Sequence, residues 1–132
     1  MPPGAFNGQL MADIILVEDD NDIGRAYAHA LTEEGHTVRL AENEGNLVME
    51  LARGNPELLI LDVGLPGVDG LEMLRRLRED AATATVPVAI LSNFTDRDMI
   101  HRALRLDAIE WVEKASTTPS LLVIQVKRWL DR

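Results

Sequence analysis

The 132-residue chain contains no cysteine. That excludes disulfides, a thiolate metal site and a cysteine nucleophile. Long apolar runs are also missing. The longest are four residues, as in Ile14–Val17 and Leu58–Leu61, far short of the ~20 that a membrane helix needs. The opening Met1-Pro2-Pro3-Gly4-Ala5-Phe6-Asn7 has neither a basic patch nor an apolar stretch, so it is not a secretory signal. No internal period of about 20–50 residues recurs, which excludes a repeat array. Positive charge is scarce: 13 basic residues stand against 22 acidic ones, a net −9. Such a chain repels a phosphate backbone, which argues against direct nucleic-acid binding. The balance suits a soluble cytoplasmic protein that meets proteins or cations.

What is present is a globular composition, 46% hydrophobic and 27% charged, in a length that fits one domain. Residues 1–11 carry two prolines and two glycines without periodicity. They read as a flexible lead-in, with the domain spanning 12–132. A strand–helix rhythm then begins. Asp13–Val17 reads as a buried strand. Asn21–Glu34 follows as a helix with Ile23, Ala26, Tyr27, Ala30 and Leu31 at helical spacing, closed by Gly35. Thr37–Ala41 is a second strand, and Asn46–Arg53 a helix with Leu47, Val48 and Leu51 on one face. Leu58–Leu61 is a fully apolar strand. Asp69-Gly70 opens a helix over Leu71–Glu79. Val88–Leu91 is the fourth strand. Thr95 is the expected cap of Asp96–Leu106, striped by Ile100, Ala103 and Leu104. Ile109–Val112 is the fifth strand, and Pro119 opens the last helix. Five βα units with apolar strands predict an α/β fold: a five-stranded parallel sheet, doubly wound, in a three-layer sandwich.

In such sheets chemistry is found at the carboxyl ends of the strands. The first strand ends Glu18-Asp19-Asp20, the third at Asp62, the fourth at Ser92-Asn93 and the fifth at Glu113-Lys114. The predicted topology brings these ends together as a carboxylate cluster with one hydroxyl and one ammonium. Two carboxylates 4 Å apart repel by about 4 kcal/mol at an effective dielectric near 20, so three need protons or a cation. Oxygen ligands without cysteine favour a hard ion such as Mg²⁺. A carboxylate beside that ion can attack phosphorus to form an aspartyl phosphate, with Lys114 and Ser92 supplying charge and a hydrogen bond. Each residue also has a plainer reading. Asp20 and Asp69 read as helix caps, Ser92 as a turn hydroxyl, Lys114 as a surface lysine and Trp111 as a half-buried strand aromatic. His29, His36 and His101 read as isolated surface residues. Asp62, an acid directly after four apolar residues, has no capping reason to be there. No glycine-rich nucleotide loop follows the first strand, which argues against a mononucleotide or flavin site.

The segments Ile14-Ile15-Leu16-Val17-Glu18-Asp19-Asp20, Leu61-Asp62-Val63-Gly64-Leu65-Pro66-Gly67-Val68-Asp69-Gly70, Ala89-Ile90-Leu91-Ser92 and Trp111-Val112-Glu113-Lys114 resemble those of response-regulator receiver domains of two-component signalling. The resemblance runs from about Asp13 to the C-terminus. It implies a flavodoxin-like fold and roles at the matching positions. Asp62 would accept the phosphoryl group. Glu18, Asp19, Asp62 and the Gly64 carbonyl would hold Mg²⁺. Lys114 would pair with the phosphoryl group, and Ser92 and Trp111 would switch. The implied partners are a histidine kinase or phosphotransfer protein and an unidentified downstream protein, in the cytoplasm and away from membranes and nucleic acid.

Some positions depart from that family's pattern. Asn93 follows the switch hydroxyl, where a small residue is usual, and is expected to crowd the phosphoryl site. Asp107-Ala108 stands for Gly-Ala. Ala115 follows Lys114 where proline is usual, so the Lys114–Ala115 bond is expected to be trans. Two other readings are a binding module that works without phosphorylation and a small Mg²⁺-dependent phosphatase with an aspartate nucleophile. The phosphatase class usually carries Asp-x-Asp on its first strand, whereas Asp62-Val63-Gly64 lies on the third. In the last helix Leu122, Val123, Val126, Trp129 and Leu130 share one arc. Leu121 and Ile124 fall outside it, either as scattered surface aliphatics or as a patch for a partner or a homodimer through this helix.

Overall fold

The computed structural model describes residues 5–6, 9–64, 70–94 and 96–131. Two short strands, β1 (Ala5–Phe6) and β2 (Gln9–Leu10), pair antiparallel as a separate sheet within the expected lead-in. The main chain order is then β3 (Asp13–Val17), α1 (Asn21–Glu33), β4 (Thr37–Ala41), α2 (Glu44–Arg53), β5 (Leu58–Leu61), α3 (Gly70–Glu79), β6 (Val88–Ser92), α4 (Arg97–Arg105), β7 (Trp111–Glu113), a 3-10 turn over Lys114–Ser116, and α5 (Pro119–Leu130). The five long strands pair in parallel in the order β4-β3-β5-β6-β7. Counted along the chain that order is 2-1-3-4-5, a flavodoxin-like α/β fold.

Alternate side chains of each strand serve two cores. Ile15, Val17, Leu59, Leu61, Val88 and Ile90 face α2, α3 and α4, through Leu47, Leu71, Leu74, Leu77 and Ala103. Ile14, Leu16, Leu58, Ile60, Ala89 and Leu91 face α1 and α5, through Tyr27, Leu31, Leu122, Val126 and Trp129. The arc predicted for α5 is the buried one, while Leu121 and Ile124 are exposed. The strands are apolar on both faces because helices cover both.

Local chemistry sets the element ends, and some of them differ from the sequence reading. Asp20 caps α1 by accepting from Asp22 N and Ile23 N. The α1 C-terminus closes in a Schellman turn, with Gly35 N donating to Thr32 O and His36 N to Leu31 O, and with Gly35 at φ +101°. Helix α2 begins two residues earlier than expected, because Asn43 caps it by accepting from Asn46 N. Val48 and Leu104, expected on core faces, are exposed. Asp96, rather than Thr95, accepts from Met99 N and caps α4. Thr95 itself and the expected cap Asp69 lie outside the described residues. Strand β7 starts at Trp111, two residues late, although Ile109 N already donates to Val88 O. His36 is buried rather than on the surface, and its Nδ1 accepts from Ala12 N at 3.1 Å. All described peptide bonds are trans, Lys114–Ala115 included.

A second Schellman turn ends α4: Asp107 N donates to Leu104 O and Ala108 N to Ala103 O. Its left-handed residue is Asp107, at φ +60°, a conformation that costs most L-residues about 1–2 kcal/mol. The half-buried Arg78 side chain ties this turn to the segment before β6, donating to the carbonyls of Leu106 and Asp107 in the turn and of Ala84 and Val86 in that segment.

Two outcomes are expected. Asp107→Gly removes the backbone strain at the expense of unfolded-state entropy, for a net gain of about 0.5–1 kcal/mol. It should appear as a higher urea midpoint at unchanged slope; a lower midpoint would mean that the aspartate side chain stabilises the turn. For His36, burial lowers the imidazole pKa despite the nearby Glu34 and Glu57. The unfolded ring therefore binds its proton first. Stability should fall as pH drops from 7 through about 6.5 towards the lower folded value. His36→Asn, which retains an acceptor and does not titrate, should flatten that decline in denaturant titrations.

Candidate functional site

The site forms where β3 and β5 lie side by side at the carboxyl edge of the sheet. There the connection to β4 leaves on one side and the later strands build on the other, the place where open α/β sheets bind ligands. Backbone pairing brings the acids to this edge. Glu18 N donates to Ala41 O at 2.9 Å, and Asp62 N to Val17 O at 3.2 Å. Glu18 and Asp62 are buried and Asp19 is exposed. One ligand oxygen from each can be chosen so that all three lie within 4.8 Å of one another.

Lys114 reaches this cluster from the end of β7. Its Nζ stands 2.5 Å from Glu18 Oε1 and 2.9 Å from Asp62 Oδ2, with its side chain only 12% exposed. The other oxygen of each carboxylate is also engaged: Asp20 N donates to Glu18 Oε2 and Gly64 N to Asp62 Oδ1. The Asp19 carboxylate has no hydrogen-bond or ion-pair partner among the described residues. Burial raises the Glu18 pKa and outweighs the lowering by the Lys114 hydrogen bond. Burial alone would lower the Lys114 pKa, but Glu18 and Asp62 together raise it. Ionised Glu18 is therefore a cost to the fold that grows as pH rises through its folded pKa. With all three acids ionised, one ammonium leaves two negative charges uncompensated. An all-oxygen donor set of that charge fits a hard divalent cation.

Ser92 ends β6 fully buried and lies in register with Glu113, next to Lys114. Its Oγ accepts from Phe94 N at 3.1 Å. Phe94 O in turn accepts from the Trp111 indole at 2.9 Å. A hydrogen-bonded chain thus runs from the hydroxyl through Phe94 to the half-buried Trp111. Asn93, expected to crowd the acceptor, is exposed. Phe94 makes the close approach instead. A Cβ at Gly64 would stand 2.8 Å from the Phe94 ring and 3.4 Å from Asp62 Oδ1, so a side chain there would displace the exposed Phe94 ring. Sequence reading missed Phe94 because an aromatic after a polar pair carries no positional signal until the loop is folded. Gly70 is constrained more tightly: a Cβ there would lie 2.2 Å from Val63 Cα, a backbone atom, so glycine lets the chain return against the end of β5.

Comparisons with known proteins agree with this geometry. The family described as "Response regulator receiver domain" matches residues 14–125. The transcriptional regulatory protein AfsQ1 of Streptomyces coelicolor is 35% identical over 79% of this chain and 45% of its own length. The phosphate regulon transcriptional regulatory protein PhoB of Rhizobium meliloti is 32% identical over 93% of this chain and 54% of its own. The chain therefore spans about half the length of these relatives. Among solved structures, a response regulator from Thermotoga maritima is 27% identical with a TM-score of 0.80, covering 93% of this chain and all of the other.

A divalent ion that binds only the folded cluster stabilises it, by about 2.7 kcal/mol at a hundredfold excess over its dissociation constant. Mg²⁺ should raise the melting temperature by several degrees, and Asp19→Ala should erase that increment. Equal responses in the two proteins would place the ion elsewhere.

Proposed function

The chain belongs to the response regulator receiver domain family, and on that premise we propose that it is a phosphorylation-controlled signalling switch with Asp62 as its phosphoacceptor. A phosphorylation-switch role is general to the family, whose members are phosphoacceptors rather than ordinary enzymes, and the acidic cluster stands where that family's acceptor site is expected. The observation that carries the reading is the placement of Lys114, whose ammonium spans Glu18 and Asp62 in a nearly buried position. A cation held there in advance costs no reorganisation when negative charge arrives.

In the proposed reaction an Asp62 carboxylate oxygen attacks the phosphorus of a phosphohistidine. The new P–O bond forms as the P–N bond breaks, and the imidazole leaves with the electron pair. Glu18, Asp19, Asp62 and the Gly64 carbonyl would hold Mg²⁺, which supplies charge neutralisation for the transferring group. Lys114 pairs with a phosphoryl oxygen. Ser92 turns its hydroxyl to another, which breaks its bond from Phe94 N. Because Phe94 O holds the Trp111 indole, that turn is transmitted to the outer strand. The chain catalyses only its own phosphorylation and dephosphorylation. Residues 12–132 constitute the receiver unit, acting in the cytoplasm. The proposed donor is a histidine kinase or phosphotransfer protein. The exposed Leu121 and Ile124 on α5 offer a contact for a downstream protein or for a homodimer through that helix.

With Mg²⁺ and acetyl phosphate the protein should gain about 80 Da, one phosphoryl group. Asp62→Asn, close to isosteric, should abolish the gain while remaining folded. Intact mass spectrometry decides this, and an undiminished gain in the variant would sink the assignment of Asp62.

A further inference from the structure

Tyr27, the only tyrosine of the chain, is buried in α1. Its hydroxyl donates a 2.7 Å hydrogen bond to the carbonyl of Thr117, ninety positions away. Thr117 closes the turn that carries Lys114. Its N–H donates to Lys114 O at 3.0 Å and its Oγ1 to Glu113 O at 2.7 Å. That turn has no proline to stiffen it, since Ala115 follows the lysine. Helix α1 starts directly after Glu18-Asp19 and is capped by Asp20. One rigid helix therefore carries the acidic pair at its entrance and Tyr27 near its middle. Burial raises the Tyr27 phenol pKa, with lesser contributions from the charges of Lys114, Glu18 and Asp62.

We infer that Tyr27 is a positioning residue: through Thr117 it fixes the turn bearing Lys114 relative to the helix that follows Glu18 and Asp19, and so sets where the ammonium stands against Asp62. Its kinetic consequence rests on the phosphoacceptor reading above, whereas the placement of the lysine is measurable without phosphorylation. Phenylalanine fills the same space but leaves the Thr117 carbonyl without its donor. The turn then loosens, and the ammonium spreads over more positions.

The chain has two lysines, Lys114 and the exposed Lys127, so amine acetylation followed by mass spectrometry carries its own control. The comparator is Leu31→Val, a core truncation in the same helix that touches neither lysine. In Tyr27→Phe, Lys114 should acetylate about fivefold faster with Lys127 unchanged, as expected for the loss of one net hydrogen bond. Phosphoryl uptake from acetyl phosphate with Mg²⁺ should slow about three- to tenfold. Leu31→Val should show neither change. Unaltered Lys114 labelling in Tyr27→Phe overturns the inference. So does acceleration of both lysines together, as general loosening would give, or faster Lys114 labelling with undiminished phosphoryl uptake. If the wild type takes no phosphoryl group, the phosphoacceptor reading falls, and the labelling alone still decides whether Tyr27 positions Lys114.

Discussion

The organising constraint is the burial of two carboxylates beside a third. Taking Glu18 and Asp62 out of water is costly unless a cation and hydrogen-bond donors meet them. Here Lys114 stands between them, and backbone N–H groups satisfy their remaining oxygens. The three partners come from the ends of β3, β5 and β7, strands far apart in sequence. Parallel pairing turns all their carboxyl ends to one edge, and the 2-1-3-4-5 order sets those of β3 and β5 side by side. The charge arrangement thus depends on the topology, and the topology depends on strands apolar enough to be covered on both faces.

Much of this was legible in the sequence because the signals are local. Three of the five long strands, β3, β4 and β5, have the bounds that apolar runs and turn residues predict. Asp62 stands out because nothing local explains an acid after Leu58-Leu59-Ile60-Leu61. The misreadings have a different physical origin. His36 is buried by a contact with the backbone of Ala12, and no helical or strand period encodes that contact. Val48 and Leu104 fit an apolar stripe by spacing, yet both face outward from the core and are exposed. The pairing of Phe94 with Gly64, and of Tyr27 with Thr117, joins loops and elements whose proximity exists only after folding.

The Ser92–Phe94–Trp111 chain and the Lys114 cluster are distinct networks that meet at the ends of adjacent strands. The first is composed of neutral hydrogen bonds, each worth about 1 kcal/mol net. The second is composed of charges in a poorly solvated corner. In the proposed reaction, a change in charge at Asp62 would act on the weaker network through the Ser92 hydroxyl at the end of β6.

Helix α4 is held unequally. Its C-terminal end sits in a strained Schellman turn, and Arg78 ties two carbonyls of that turn to two in the segment before β6. Its N-terminal end follows Phe94, whose hydrogen bonds among the described residues are to the Ser92 hydroxyl and the Trp111 indole. If the proposed switch releases the Ser92–Phe94 bond, the helix would act as a lever held at its C-terminal end. The nine-residue helix is about 13.5 Å long at 1.5 Å per residue. On the proposed switch reading, a tilt of about 10° about the C-terminal end would carry the other by roughly 2 Å, most of a hydrogen-bond length and enough to reshape the surface above it.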